Sequence, residues 1–150
     1  MRRCSGDSSG AIITLTSDSI TPTTLINGIM IVDYGIFVIQ KSNKAQLTLS
    51  NIEFIGAGTV KQEGLALLLI EYSSFRLSNN ISTISPFVQA IRGQLEISSC
   101  SFGTSLETKL GQPAIQTSSQ QQKASGAVIE MGEKTEVEFT DCTFIHCIDS

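Results

Sequence analysis

Apolar positions recur in four ungapped segments of this chain: LTLSNIEF (47–54), LLIEYSSF (68–75), LEISSCSF (95–102) and VEFTDCTF (137–144). Each ends in Phe. Seven residues before that Phe stand Leu47, Leu68, Leu95 and Val137, and five before it stand Leu49, Ile70, Ile97 and Phe139. Two before it stand Ile52, Ser73, Cys100 and Cys142, all apolar or small. On a helical wheel turning about 100° per residue, these positions scatter to both sides of the axis, so no helical face collects them. Strand alternation explains the first pair of apolar positions and, separately, the last pair. The odd step between the pairs would turn one continuous strand inside out. A corner must therefore separate two short strands. The intervening residues, Ser50-Asn51, Glu71-Tyr72, Ser98-Ser99 and Thr140-Asp141, mostly tolerate turns, and Asn or Asp can adopt the left-handed conformation a sharp bend needs.

The strand–corner–strand unit predicts a solenoid. The Phe residues that end successive motifs lie 21, 27 and 42 positions apart, room for coils of three strands and three corners with loops of unequal length. The segments IFVIQ (36–40), GLALL (64–68), FVQAI (87–91) and GAVIEM (126–131) are read as the remaining strand of each coil. A fainter upstream copy is read in TLINGIMI (24–31), with Ile26, Ile29 and Ile31 in the apolar slots. Coils stacked about 4.8 Å apart place like side chains in ladders, Phe on Phe and Cys100 on Cys142. A leucine-rich repeat shares part of this pattern, but its longer L-x-x-L-x-L frame and regular return segment are missing.

The run GAVIEM…VEFTDCTF, a Gly-small-apolar strand leading into an apolar-x-apolar-x-(Asn/Asp)-Cys-x-Phe corner, resembles the right-handed parallel β-helix repeats of the pectin-lyase-like superfamily. It resembles in particular the repeat proteins of protist and chlamydial surfaces. The resemblance covers roughly 24–147 and implies an all-β, right-handed parallel β-helix of about five or six coils. The chlamydial pattern also has Asn three residues after the Phe, where this chain has Ala57, Ser78, Ser105 and Cys147. The expected organisation is a disordered segment over 1–10 and a single domain over 11–150. A polar loop, 103–125, containing QTSSQQQKASG, projects from one corner. The chain stops just after a motif with no amphipathic cap following, so further coils of a longer repeat protein are the expected neighbours.

Composition narrows the function. With 41% hydrophobic and 16% charged residues the chain has the make-up of a folded domain with a polar, sparsely charged surface. A net charge of −4 with ten scattered Lys and Arg offers no basic stripe for phosphates, so nucleic acid is excluded as the expected partner. The richest apolar run, LINGIMIVDYGIFVI (25–39), is broken by Asn27 and Asp33 and falls short of a membrane-spanning helix, so it is read as buried strands. MRRCSGDSSG lacks the apolar stretch of a signal peptide.

Candidate chemistry is thin. Six residues before the Phe, the outward slot holds Thr48, Leu69, Glu96 and Glu138. Glu96 and Glu138 would stack on adjacent coils, as paired carboxylates for polysaccharide cleavage or calcium. An ordinary acidic patch is the plainer explanation. The five Asp residues are dispersed, Arg92 and Lys41 are isolated, and the sole histidine, His146, has no Ser or Asp motif beside it. Superfamily enzymes carry clustered Asp with Arg, His or Arg-x-Lys, which this chain lacks. Four cysteines (Cys4, Cys100, Cys142, Cys147) form no CxxC pair. Cys100 and Cys142 are expected as stacked free thiols, with side chains parallel rather than converging. Cys147 could pair elsewhere in an oxidising compartment, and Asn80-Ile81-Ser82 is a lone glycosylation sequon. No cofactor or metal is expected. The expected role is a non-catalytic structural or adhesive repeat domain, extracellular or at the cell surface, that binds glycans or surface proteins. The alternative is a polysaccharide lyase or hydrolase acting through Glu96 and Glu138.

Overall fold

The computed structural model describes residues 10–77, 86–104 and 129–145. They form strands and connecting turns without a helix: β1 (Ala11–Leu15), β2 (Thr23–Gln40), β3 (Leu47–Gln62), β4 (Leu68–Glu71), β5 (Ser74–Leu77), β6 (Val88–Ser98), β7 (Ser101–Thr104), β8 (Ile129–Thr140) and β9 (Thr143–Ile145). All pairings are parallel. The arrangement is a β-solenoid of about three turns, fewer than the five or six coils expected. The continuous stretch 10–77 winds through it, and segments 86–104 and 129–145 extend the same ladders.

The register reproduces the sequence columns. Leu47, Leu68, Leu95 and Val137 are successive partners, as are Leu49, Ile70, Ile97 and Phe139. Phe54, Phe75, Phe102 and Phe144 likewise follow one another. Their rings stack at centroid separations of 4.5, 4.8 and 5.2 Å with interplanar angles of 11°, 9° and 11°. Phe37 caps this stack edge-on at 5.2 Å from Phe54. Phe37, Phe54, Phe75 and Phe102 are almost wholly buried, and each such burial stabilises by ~1.5–3 kcal/mol.

The corners are where the sequence places them. Asn51, Tyr72, Ser99 and Asp141, three residues before each Phe, all have φ between 49° and 53°. Asn27 repeats the conformation upstream at 59°. The ladder continues through the bend, Tyr72 N–H donating to Ser98 O at 3.1 Å and Ser99 N–H to Thr140 O at 2.9 Å. These two bends therefore keep their N–H groups paired.

Three details differ from expectation. The upstream copy is slipped by one residue, because Leu25 pairs with Leu49, Gly28 with Ile52 and Met30 with Phe54. Ile26, Ile29 and Ile31 consequently face outward, more than half exposed, as does Tyr34. The run 25–39 is strand, as expected, but only part of it is buried. Second, the strand preceding the 68–75 motif is Thr59–Gln62, partner of Ile36–Gln40 and Val88–Ala90. GLALL (64–68) is mostly the following corner, held by Gly64 N–H to Gln40 O and Ala66 N–H to Ser42 O. Third, Gly103 and Thr104, assigned to the loop, belong to β7. The rest of the 103–125 loop, residues 1–9 of the N-terminal segment, the 80–82 sequon, Cys4, His146 and Cys147 lie outside the described residues.

The corner after the first strand contains a buried amide in two successive turns, before Ala90 takes the slot in the next. Gln40 and Gln62 are ladder partners with no exposed surface. Gln40 Nε2 donates to Ala45 O at 3.0 Å, and Gln62 Nε2 donates to Gly64 O at 2.8 Å and Ala66 O at 2.6 Å. These bonds satisfy carbonyls that the turn withdraws from strand pairing.

Candidate functional site

The left-handed corners and the residues beside them bring amide, aliphatic, aromatic, carboxylate and hydroxyl side chains to one outer edge of the solenoid. A groove of ≈ 490 Å³ runs across three rungs there, lined by Asn27, Gly28, Ile29, Asn51, Ile52, Glu53, Tyr72 and Ser74. Asn27, Asn51 and Tyr72 are the corner residues themselves. Glu53 and Ser74 occupy the outward slot two residues on and are ladder partners. Asn51 Nδ2 donates to Asn27 Oδ1 at 2.6 Å. The amide ladder retains Asn27 Nδ2 as donor and Asn51 Oδ1 as acceptor. Arg76, one rung beyond Glu53, pairs with it at 2.7 Å, so the carboxylate meets the groove already charge-compensated.

Tyr72 is the unusual member. A left-handed backbone costs an L-residue with a bulky side chain about 1–2 kcal/mol, and Asn, Asp and Gly escape most of it. Three of the five corners comply, with Asn27, Asn51 and Asp141, and Ser99 is at least small. Tyr72 adopts φ 49° and is 64% exposed, so burial does not offset the strain. Strain of this kind concentrates at binding sites. The ring and Ile29, itself exposed, give the groove apolar walls flanked by amides, a hydroxyl and a compensated carboxylate. That mixture suits a ligand with alternating C–H faces and hydroxyl groups.

The structure does bring Glu96 and Glu138 together as ladder partners between β6 and β8, both exposed. Leu69 continues their column. They do not line the groove. Among the described residues, no three His, Cys, Asp or Glu side chains gather in a metal-holding group. Nor is any helix there long and apolar enough to cross a membrane.

Cys100 and Cys142 are free thiols, Cys100 buried and Cys142 half-buried. Each donates to the carbonyl two residues back, Cys100 to Ser98 O at 3.1 Å and Cys142 to Thr140 O at 3.4 Å. Ser73, in the same slot, donates to Glu71 O at 2.8 Å and accepts from Ile52 N–H at 3.1 Å. The slot braces the corner. Burial, the largest influence, pushes the Cys100 thiol up to about 11.

The groove was not legible as a site in the sequence, where Asn51 and Tyr72 read only as turn residues. One signal was available: an aromatic in a column otherwise filled by Asn, Ser and Asp. No family model, curated protein or solved structure matches the chain.

Proposed function

We propose that the chain is a non-catalytic structural or adhesive repeat domain of a secreted or surface protein, of the pectin-lyase-like type, that holds glycans in the corner groove. The observation that carries this reading is Tyr72, an exposed aromatic retained in a left-handed corner that disfavours it. In such a site the ring face covers the C–H face of a sugar. Asn27, Asn51 and Ser74 exchange hydrogen bonds with its hydroxyls, and Glu53, neutralised by Arg76, accepts one more. The lyase or hydrolase reading has weaker support, because its carboxylates stand on an open strand face away from the groove.

The test uses Tyr72→Asn and an array of neutral and acidic oligosaccharides. Wild type is expected to bind a subset of the array, and the variant to lose at least about tenfold in affinity, near 1.4 kcal/mol. The same substitution is expected to stabilise the fold by about 0.5–1 kcal/mol, by relieving the corner. Opposite signs for binding and stability separate a binding residue from a structural one. Unchanged binding by Tyr72→Asn, or an array left empty by wild type, would refute the assignment.

A further inference from the structure

Among the described residues, the two terminal rungs of the solenoid carry matching free edges. At one end the apolar slots of the last rung are uncovered: Phe139 is 42% and Phe144 50% exposed, whereas their partners Ile97 and Phe102 are buried. Among the described residues β8 pairs only with β6, and β9 only with β7. At the other end, the 23–31 part of β2 pairs only with β3 among the described residues. A strand pair that completes the last rung must run parallel to it and bend through a left-handed residue opposite Asp141. It must also present apolar side chains opposite Phe139 and Phe144. The 23–31 segment has that form, with Asn27 at φ 59° where Asp141 has 52°.

We propose that the chain assembles head to tail, the 23–31 rung of a second copy docking on the 137–145 rung of the first. Extending the observed register sets Leu25 on Phe139, Met30 on Phe144 and Gly28 beside Cys142. A thioether on an aromatic ring is a favourable contact. A side chain added at Gly28 would meet nothing within its own copy, so the backbone there is open to the neighbour's thiol. The same register sets Asn27 opposite Asp141. The Asn27 amide group, whose oxygen already accepts from Asn51, then donates to a carboxylate.

Charge selects this polarity. The last rung exposes Glu138 and Asp141, and the part of β8 leading into it exposes Glu133 and Glu136 against Lys134, whereas residues 23–31 carry no charge. Two last rungs meeting face to face would oppose carboxylates, and their strands would run antiparallel. Head-to-tail contact avoids both. Because the two surfaces differ, the contact does not close on itself, and growth continues beyond the dimer.

Exposed Thr24 would stack on Glu138 across the junction and provides the test. Sedimentation velocity of the wild-type chain at rising concentration is expected to show a series of species extending past the dimer. Thr24→Lys is expected to tighten association, and Thr24→Glu to weaken it, each by about two- to fivefold, the range of a cross-strand ion pair. Combining either with Glu138→Lys is expected to reverse its direction. Both positions are on the surface, and a far-UV spectrum checks that each variant remains folded. A chain monomeric at every concentration up to about 1 mM, a closed dimer alone, or association indifferent to the Thr24 substitutions would each overturn the proposal.

Discussion

The thiol of Cys100 shows how a residue that looks reactive is committed to the fold. Its burial keeps it protonated, so it is a poor nucleophile at neutral pH. The linkage has a definite sign. An unfolded thiol releases its proton near pH 9, whereas the folded one holds it to about 11. Between those values the folded state binds more protons, so stability falls as pH rises through the window. Urea midpoints measured from pH 7 to 11 are expected to show this decline in wild type. Cys100→Ser, which keeps the hydroxyl donor found at Ser73, is expected to remove the Cys100 contribution. An identical alkaline decline in both proteins would show that the thiol is not responsible. The stacking of Cys100 on Cys142 was legible in the sequence because both fall two residues before a Phe. The bracing bond was not, because the same column admits Ile52, and only the bent backbone brings a carbonyl within reach. Tyr72 was hidden for a similar reason: its type is visible in the sequence, but its strain depends on the φ angle of the corner.

At the scale of the element, side-chain period and corner chemistry determine different things. The 47–54, 68–75, 95–102 and 137–144 motifs could be aligned because, Leu69 apart, apolar and polar residues separate by parity on either side of each bend. Residues 23–31 have apolar side chains on both parities, so hydrophobicity alone leaves their register open, and a one-residue slip followed. Asn27, the counterpart of Asn51, fixes it. The corner formed by 63–67 was hidden because its stabilisers, Gln40 and Gln62, are polar residues pointing inward, contrary to the rule used to find strands. Backbone space controls that corner too. A Cβ at Gly93 would lie 2.3 Å from Gly64 O, and its φ of 89° already disfavours an L-residue. Gly93→Ala is therefore expected to cost about 2–5 kcal/mol, combining backbone strain with overpacking. Gly28→Ala meets no atom within 4 Å and is expected to be neutral or to stabilise by up to about 1 kcal/mol. Chemical denaturation of the two variants is the check, and equal losses would contradict the packing described for the Gly93 corner.

For the whole molecule, the consequence of stacking is that stability runs along one axis. An interior rung such as 47–55 has ladder partners on both sides, whereas 23–31 and 137–145 each have one among the described residues. Nearest-neighbour coupling then makes the ends open first, so local stability should peak in the middle of the stack. Amide hydrogen exchange in dilute solution is expected to be slowest for 47–55, 68–71 and 95–98 and faster for both terminal rungs. Head-to-tail docking adds a condition that intrinsic fraying cannot reproduce. When a neighbour covers an end rung, its amides gain a second ladder, so their protection should rise with protein concentration while the interior stays constant. The rise should appear at 23–31 and 137–145 together, since each junction uses one of each. Thr24→Glu should reduce it at both ends, although the substitution lies on only one. Protection that rises at one end alone would point to a different contact. Terminal protection independent of concentration would mean that the rungs fray without partners and that the free edges remain uncovered.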